Sequence, residues 1–114
     1  MEELAVGSGP KPKKGDTVWL HYKGQLKNGT VFENTYETGK PLEYTLGEDD
    51  AMRGWEQAIP EMQVEGKYKV IIPPHLGYGS RKKGKIPPNS TLIYEMEIGK
   101  IESGKEGGKQ RRGL

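Results

Sequence analysis

Along most of the chain, apolar and polar positions alternate. In Thr17-Val18-Trp19-Leu20-His21-Tyr22-Lys23, Val18, Leu20 and Tyr22 share one face. In Leu42-Glu43-Tyr44-Thr45-Leu46 the odd positions are polar, and in Lys67-Tyr68-Lys69-Val70-Ile71-Ile72, Tyr68, Val70 and Ile72 point together. From Thr91 to Ile101, Leu92, Tyr94, Met96 and Ile98 alternate with residues that include Glu95 and Glu97. A period of two sends successive side chains to opposite sides of a strand. The polar outer positions predict an antiparallel sheet with one wet face.

Turn residues separate these runs. Asn28-Gly29 suits the positive φ angles of a type I′ hairpin. Pro73-Pro74 closes one strand and Pro87-Pro88 precedes the last, bracketing the loop HLGYGSRKKGKI, residues 75–86. One segment alone has helical spacing: in AMRGWEQAIPEM, Met52, Trp55, Ile59 and Met62 fall on roughly one helix face. Asp49 or Asp50 is a candidate cap. Pro60 disfavours α geometry at Ile59, so about two turns remain. A helix that short needs packing against the sheet, and Trp55 offers the largest surface. The expected class is α+β, with one antiparallel sheet and a short helix on its buried face.

The 114 residues, 32% hydrophobic and 30% charged, suit one domain with a modest core. Residues 1–12 and 103–114 are expected to be flexible, flanking a domain over 13–102. The absence of cysteine excludes disulfides, a thiol nucleophile and Cys-ligated metal, and agrees with a reducing compartment. No run approaches the roughly 20 apolar residues of a membrane span. The N-terminal stretch lacks the continuous apolar core of a signal peptide. Net charge is only +2, but basic residues cluster at Lys11, Lys13 and Lys14, at Arg81, Lys82, Lys83 and Lys85, and at Lys109, Arg111 and Arg112. Solvated loops and tails are the plainer reading; weak attraction to nucleic acid or acidic partners is the sharper one.

Several motifs fail on inspection. Gly79 to Ile86 has the G-x-x-x-x-G-K frame of a phosphate loop, but Ile86 stands where Ser or Thr would hold magnesium. Pro87 and Pro88 then forbid the helix that would follow. The two histidines, His21 and His75, have no nucleophile motif and too few companions for a metal site. The sequons at Asn28 and Asn89 read as turn residues. What remains is aromatic: Tyr22, Phe32, Tyr44, Trp55, Tyr68, Tyr78 and Tyr94 make either an ordinary core or a concave apolar pocket with polar groups at its mouth.

The stretches HYKGQLKNGTVF, RGW with its spacing to Met62, LGYG and IPPNSTLIYE occur in order, within a match running from about Lys13 to Glu102. In these the chain resembles the FKBP-type peptidyl-prolyl cis-trans isomerases, the immunophilins that bind tacrolimus and rapamycin. The resemblance implies a twisted antiparallel sheet of five or six strands wrapped around one short helix, with an apolar pocket between them. By motif position the lining would be Tyr22, Phe32, Leu42, Ala51, Met52, Trp55, Tyr78, Ile86 and Tyr94, with Trp55 as the floor. The Met52 backbone N–H and the Tyr78 hydroxyl would donate to ligand carbonyls. Tyr22, Phe32, Glu33, Trp55, Tyr78 and Tyr94 would form the catalytic set. Glu33 stands where the family usually has aspartate; Leu42 and Ala51 stand where it often has Phe and Val, and the loop after Tyr78 is shorter and more basic. These departures bear on rate and macrolide affinity.

The implied activity is acceleration of X–Pro rotation by desolvation and by stabilisation of the twisted amide, with no cofactor or metal. The implied partners are proline-containing peptides and proteins, with tacrolimus and rapamycin as inhibitors. A monomer is expected, in the cytoplasm, or in the nucleus or secretory lumen if the chain is a fragment. Two further readings stay open: an FKBP-like binding module for proline segments with little turnover, and a basic β-domain that binds nucleic acid through residues 81–85 and the tail.

Overall fold

The computed structural model describes residues 1–47 and 52–103. Six strands form one antiparallel sheet: β1 (Glu2–Ala5), β2 (Thr17–Leu26), β3 (Val31–Asn34), β4 (Leu42–Thr45), β5 (Lys67–Ile72) and β6 (Leu92–Glu102). The order runs β1-β5-β6-β2-β3, and β4 also pairs with β2. Strand β2 therefore serves two partners on one edge: Thr17 to Leu20 face β4, and Lys23 to Gln25 face β3. Its burial alternates along its whole length, as its period of two requires.

The buried face collects Val18, Leu20, Val70, Ile72, Met96 and Ile98, among others, all 5% exposed or less. Helix α2 (Arg53–Ala58) lies on this face. A Cβ on Gly54 would stand 2.8 Å from Ile72 Cδ1 and Cγ2, so the bare glycine lets the helix backbone rest on β5. After Ala58 the chain tightens into a 3-10 turn, Ile59–Glu61, with Pro60 inside it. Regular helix ends where expected, but Ile59 keeps helical angles, φ −58° and ψ −39°; the missing N–H of Pro60, not a change of backbone at Ile59, breaks the α-helical bonding.

The structure departs from the sequence reading in four places. Glu2–Ala5 were expected to be flexible, yet they pair with Lys67 to Lys69 of β5. The residues of β1 bury no side chain. What they supply is backbone pairing for an otherwise open sheet edge, which hydrophobicity does not report. The hairpin after β2 is not type I′: Asn28 keeps negative φ and Gly29 alone is left-handed, at +93°. The Gly29 N–H donates to the Leu26 carbonyl at 2.9 Å, closing a turn followed by a glycine that restores pairing. A second helical turn, α1 (Thr35–Thr38), follows β3. The Asn34 side chain caps it, accepting from Tyr36 N–H at 3.0 Å, and Gly39 ends it at φ +76°. Finally, the cap position of α2 is Met52, with no side-chain bond. Asp49 and Asp50 lie outside the described residues, as do 104–114 of the expected tail.

Candidate functional site

Between α2 and the sheet opens a cavity of about 730 Å³. That is within the range of sites for small organic ligands or short peptide segments, roughly 300–1,000 Å³. Trp55 is its floor. The indole is only 5% exposed and is enclosed edge-on by three tyrosines. Ring centroids lie 5.0 Å away for Tyr22, 5.4 Å for Tyr94 and 5.7 Å for Tyr44, with interplanar angles of 78–85°. Edge-to-face packing sets the positive rim of one ring against the negative face of another. Each ring comes from a different element: Tyr22 from β2, Tyr44 from β4, Tyr94 from β6. Trp55 Nε1 is buried with no acceptor among the described residues.

The walls are Leu42 of β4, Met52 at the head of α2, and Gly77 and Tyr78 of the loop after β5. The Met52 carbonyl takes the first helical bonds, from Trp55 N–H at 3.1 Å and Glu56 N–H at 3.3 Å. Its own N–H is unpaired among the described residues. The Glu56 carboxylate reaches back across the gap in the opposite direction, accepting from the Tyr44 hydroxyl and from Gly47 N–H at 3.2 Å. This ties the end of β4 to α2 beside the floor.

Polar groups gather at the mouth. The Tyr22 hydroxyl faces the Glu33 carboxylate. Burial first, then the hydrogen bond to Glu33 and its charge, hold the Tyr22 phenol far above its ordinary value. Burial and the Glu33 charge also raise Tyr78, and burial with the neighbouring Tyr78 and Glu33 raises Tyr94 strongly. All three phenols therefore stay protonated at neutral pH and remain donors. Glu43, Arg81, Lys82 and Lys83 complete the lining.

Seven of the ten residues expected at the site line this cavity: Tyr22, Glu33, Leu42, Met52, Trp55, Tyr78 and Tyr94. Phe32 stands behind it, edge-on to Tyr94 at 5.8 Å. Register explains its position. Gly24 pairs with Glu33 and Gln25 with Val31, so Phe32 is the extra residue of a bulge. Ile86 is not in the lining; it is 3% exposed and packs in the core, beneath the loop that carries the basic residues. Ala51 lies outside the described residues. His21 and His75 are both away from the cavity lining.

The sequence reading missed Glu43, Gly77 and the basic triplet as lining, and Gly24 as a support; it counted Tyr44 among the core-or-pocket aromatics but left it out of the lining set. The signal for Tyr44 was its aromatic ring at an inward position of the alternating run 42–46. Gly24 had none, since its role depends on rings from β3 and β6.

The model of the family described as FKBP-type peptidyl-prolyl cis-trans isomerase matches residues 9–99. The chain belongs to this family. As an FKBP-type chain it is 47% identical over 94 residues to FK506-binding protein 2 of Yarrowia lipolytica, covering 82% of this chain and 65% of that one. It is 46% identical over 97 residues to human peptidyl-prolyl cis-trans isomerase FKBP14, covering 82% of this chain and 46% of that one. The FKBP-type chain thus spans between about half and two thirds of these two relatives. Two crystal structures share its fold: FkpA from Escherichia coli, with TM-score 0.82 and 38% identity over 90% of this chain and 47% of that one, and AtFKBP13, with 0.78 and 39% over 84% and 86%. Among the described residues of this FKBP-type chain, no helix is long and apolar enough to cross a membrane.

Proposed function

We propose that the protein is a peptidyl-prolyl cis-trans isomerase whose active site is the Trp55 cavity. The observation that carries this reading is the indole floor boxed by Tyr22, Tyr44 and Tyr94 in a cavity of about 730 Å³, with neutral phenols at the mouth.

The X–Pro bond has two accessible isomers that exchange slowly, across a barrier of about 20 kcal/mol, because rotation breaks amide resonance. The planar amide carries more charge separation than the twisted one. Moving it from water onto an aromatic floor disfavours the ground state relative to the transition state. The proline ring rests on Trp55. The Met52 N–H and the Tyr78 hydroxyl donate to carbonyls of the substrate on either side of the bond. Glu33 holds the Tyr22 hydroxyl in place. As the carbonyl turns out of plane it keeps a donor, and each 1.4 kcal/mol or so so gained is about tenfold in rate.

The same cavity is proposed to bind tacrolimus and rapamycin, with Leu42 giving a less aromatic rim than most family members carry. The protein is proposed to act as a monomer. The direct test is a peptide with a chromogenic X–Pro readout. Isomerisation must be faster with the protein than without it, and tacrolimus must inhibit it. Saturable binding with no acceleration would leave a binding module in its place.

A further inference from the structure

The charges around the cavity are divided between elements. Glu33 and Glu43 stand on β3 and β4, whereas Arg81, Lys82 and Lys83 stand on the loop between β5 and β6. The three cations are consecutive and exposed. None has an ion pair among the described residues, where the single pair present joins Lys11 to Glu61. The Glu33 carboxylate lies by the Tyr22 hydroxyl, on a different element of the cavity lining from the loop cations. Lys83 Nζ stands 5.8 Å from the centroid of the Tyr78 ring, which forms a wall of the cavity.

The backbone beneath these charges is tied down. Arg81 N–H donates to the Tyr78 carbonyl at 3.1 Å. Lys83 and Ile86 exchange two bonds, 2.9 and 2.8 Å, and Asn89 N–H donates to the Gly79 carbonyl at 2.7 Å. Ile86, buried in the core, anchors the loop from below. The cations are thus presented from a braced loop at the mouth of an apolar cavity, where low-dielectric walls concentrate their field.

We propose that this cationic lip selects proline segments that carry an aspartate or glutamate side chain within two or three residues of the proline. The inference rests on the isomerase reading of the cavity and adds a substrate class to it. With the ring on Trp55, a residue two positions away lies about 7 Å along an extended chain, which brings its side chain to the lip. A nucleic-acid strand would engage the cations without needing the cavity. The sharing of one cavity by the cations and the indole favours a ligand that uses both.

The test uses X–Pro peptides of one length: neutral flanks, a glutamate two residues before or after the proline, a lysine in the same places, and the acidic peptides with proline replaced by alanine. Binding is read from tryptophan fluorescence and turnover from isomerisation. At about 20 mM ionic strength at least one acidic peptide should exceed the neutral one roughly five-fold in both, and the lysine peptides should fall below it; at about 0.5 M salt the advantage should drop below about two-fold. The variant Arg81→Gln/Lys82→Gln/Lys83→Gln should bring the acidic-to-neutral ratio to about one. The alanine peptides should not bind. Equal kcat/KM for acidic and neutral peptides in the wild type would overturn the inference while leaving the isomerase reading intact. If no peptide turned over, the isomerase reading would fail and the binding ratio alone would decide. An oligonucleotide that bound more tightly than the acidic peptide without displacing it would also overturn the proposal.

Discussion

The Thr35 hydroxyl holds the backbone of Tyr22. It accepts from Tyr22 N–H at 2.8 Å and lies 3.3 Å from the Tyr22 carbonyl oxygen. The register gives the reason. Lys23 pairs with Asn34, so the next partner along β3 would be Thr35, but there the chain turns into α1. A side chain replaces the missing ladder bond just behind a cavity-lining tyrosine. Thr35 Oγ1 also lies 2.9 Å from His21 Nδ1, and His21 stacks on Tyr36 at 5.1 Å, so the clamp continues onto the outer face of the sheet.

Thr35→Val should leave a partly buried N–H without its acceptor and cost about 1–2 kcal/mol of stability. If the clamp positions Tyr22, turnover should fall further than stability explains, and Thr35→Ser should restore most of both. Urea melts and kcat/KM on one neutral X–Pro peptide separate the two effects.

Gly24 keeps two rings in contact with its backbone. A Cβ there would stand 2.7 Å from Phe32 Cε1 and 2.8 Å from Tyr94 Cε1. Gly24→Ala must push one of them aside, an overpacking cost of roughly 1–3 kcal/mol. Tyr94 abuts the Trp55 floor, so inhibitor affinity should fall as well. An alanine variant with unchanged melting temperature and tacrolimus affinity would contradict the packing argument.

Trp55→Ala removes the floor and should cost about 3–5 kcal/mol along with nearly all turnover. Trp55→Phe keeps an aromatic floor and removes the buried, unpartnered Nε1–H. It should therefore retain much more stability than the alanine variant. Denaturant midpoints for the pair measure the difference.

The pocket tyrosines set a direction for pH dependence. Tyr22, Tyr78 and Tyr94 all have folded pKa values raised above the ordinary 10.0, so the fold favours their neutral forms. Their contribution is fully present below the unfolded value and is lost as pH rises above about 10 toward the folded values. Stability should show no tyrosine-linked change from neutral pH to about 9 and should decline above about 10. In Tyr22→Phe that alkaline decline should be shallower, as followed by urea midpoints from pH 7 to 11.

Glu56 joins α2 to the end of β4 through Gly47 N–H and the Tyr44 hydroxyl. Glu56→Ala should cost about 1–3 kcal/mol, with charge-assisted bonds at the upper end. Glu56→Gln, which keeps an acceptor, should cost less. Equal losses for the two would show that the tie does not depend on hydrogen bonding.

The alternation of Val18, Leu20 and Tyr22, of Tyr68, Val70 and Ile72, and of Leu92, Tyr94, Met96 and Ile98 was enough to place the main strands and their buried faces. A residue's side of a strand follows from parity alone. Pro60 marked the end of α2, because a proline has no N–H to continue the i to i−4 bond series, and that loss is local. The turn α1 was not read from the sequence: an asparagine cap and a terminal glycine bound it, but a single turn that buries no side chain leaves no apolar period. The other features depend on residues distant along the chain. β1 exists because β5 has an edge to cover. Phe32 lies behind Tyr94 because a bulge sits opposite Gly24. Ile86 is buried in the core, paired with Lys83 across the turn between them. Arg81, Lys82 and Lys83 read as one more solvated run, and they border the cavity because that loop closes back toward Trp55. Local pattern carries the element and its inward face; which elements meet, and which charges end beside which ring, follows from packing among residues that no short window contains.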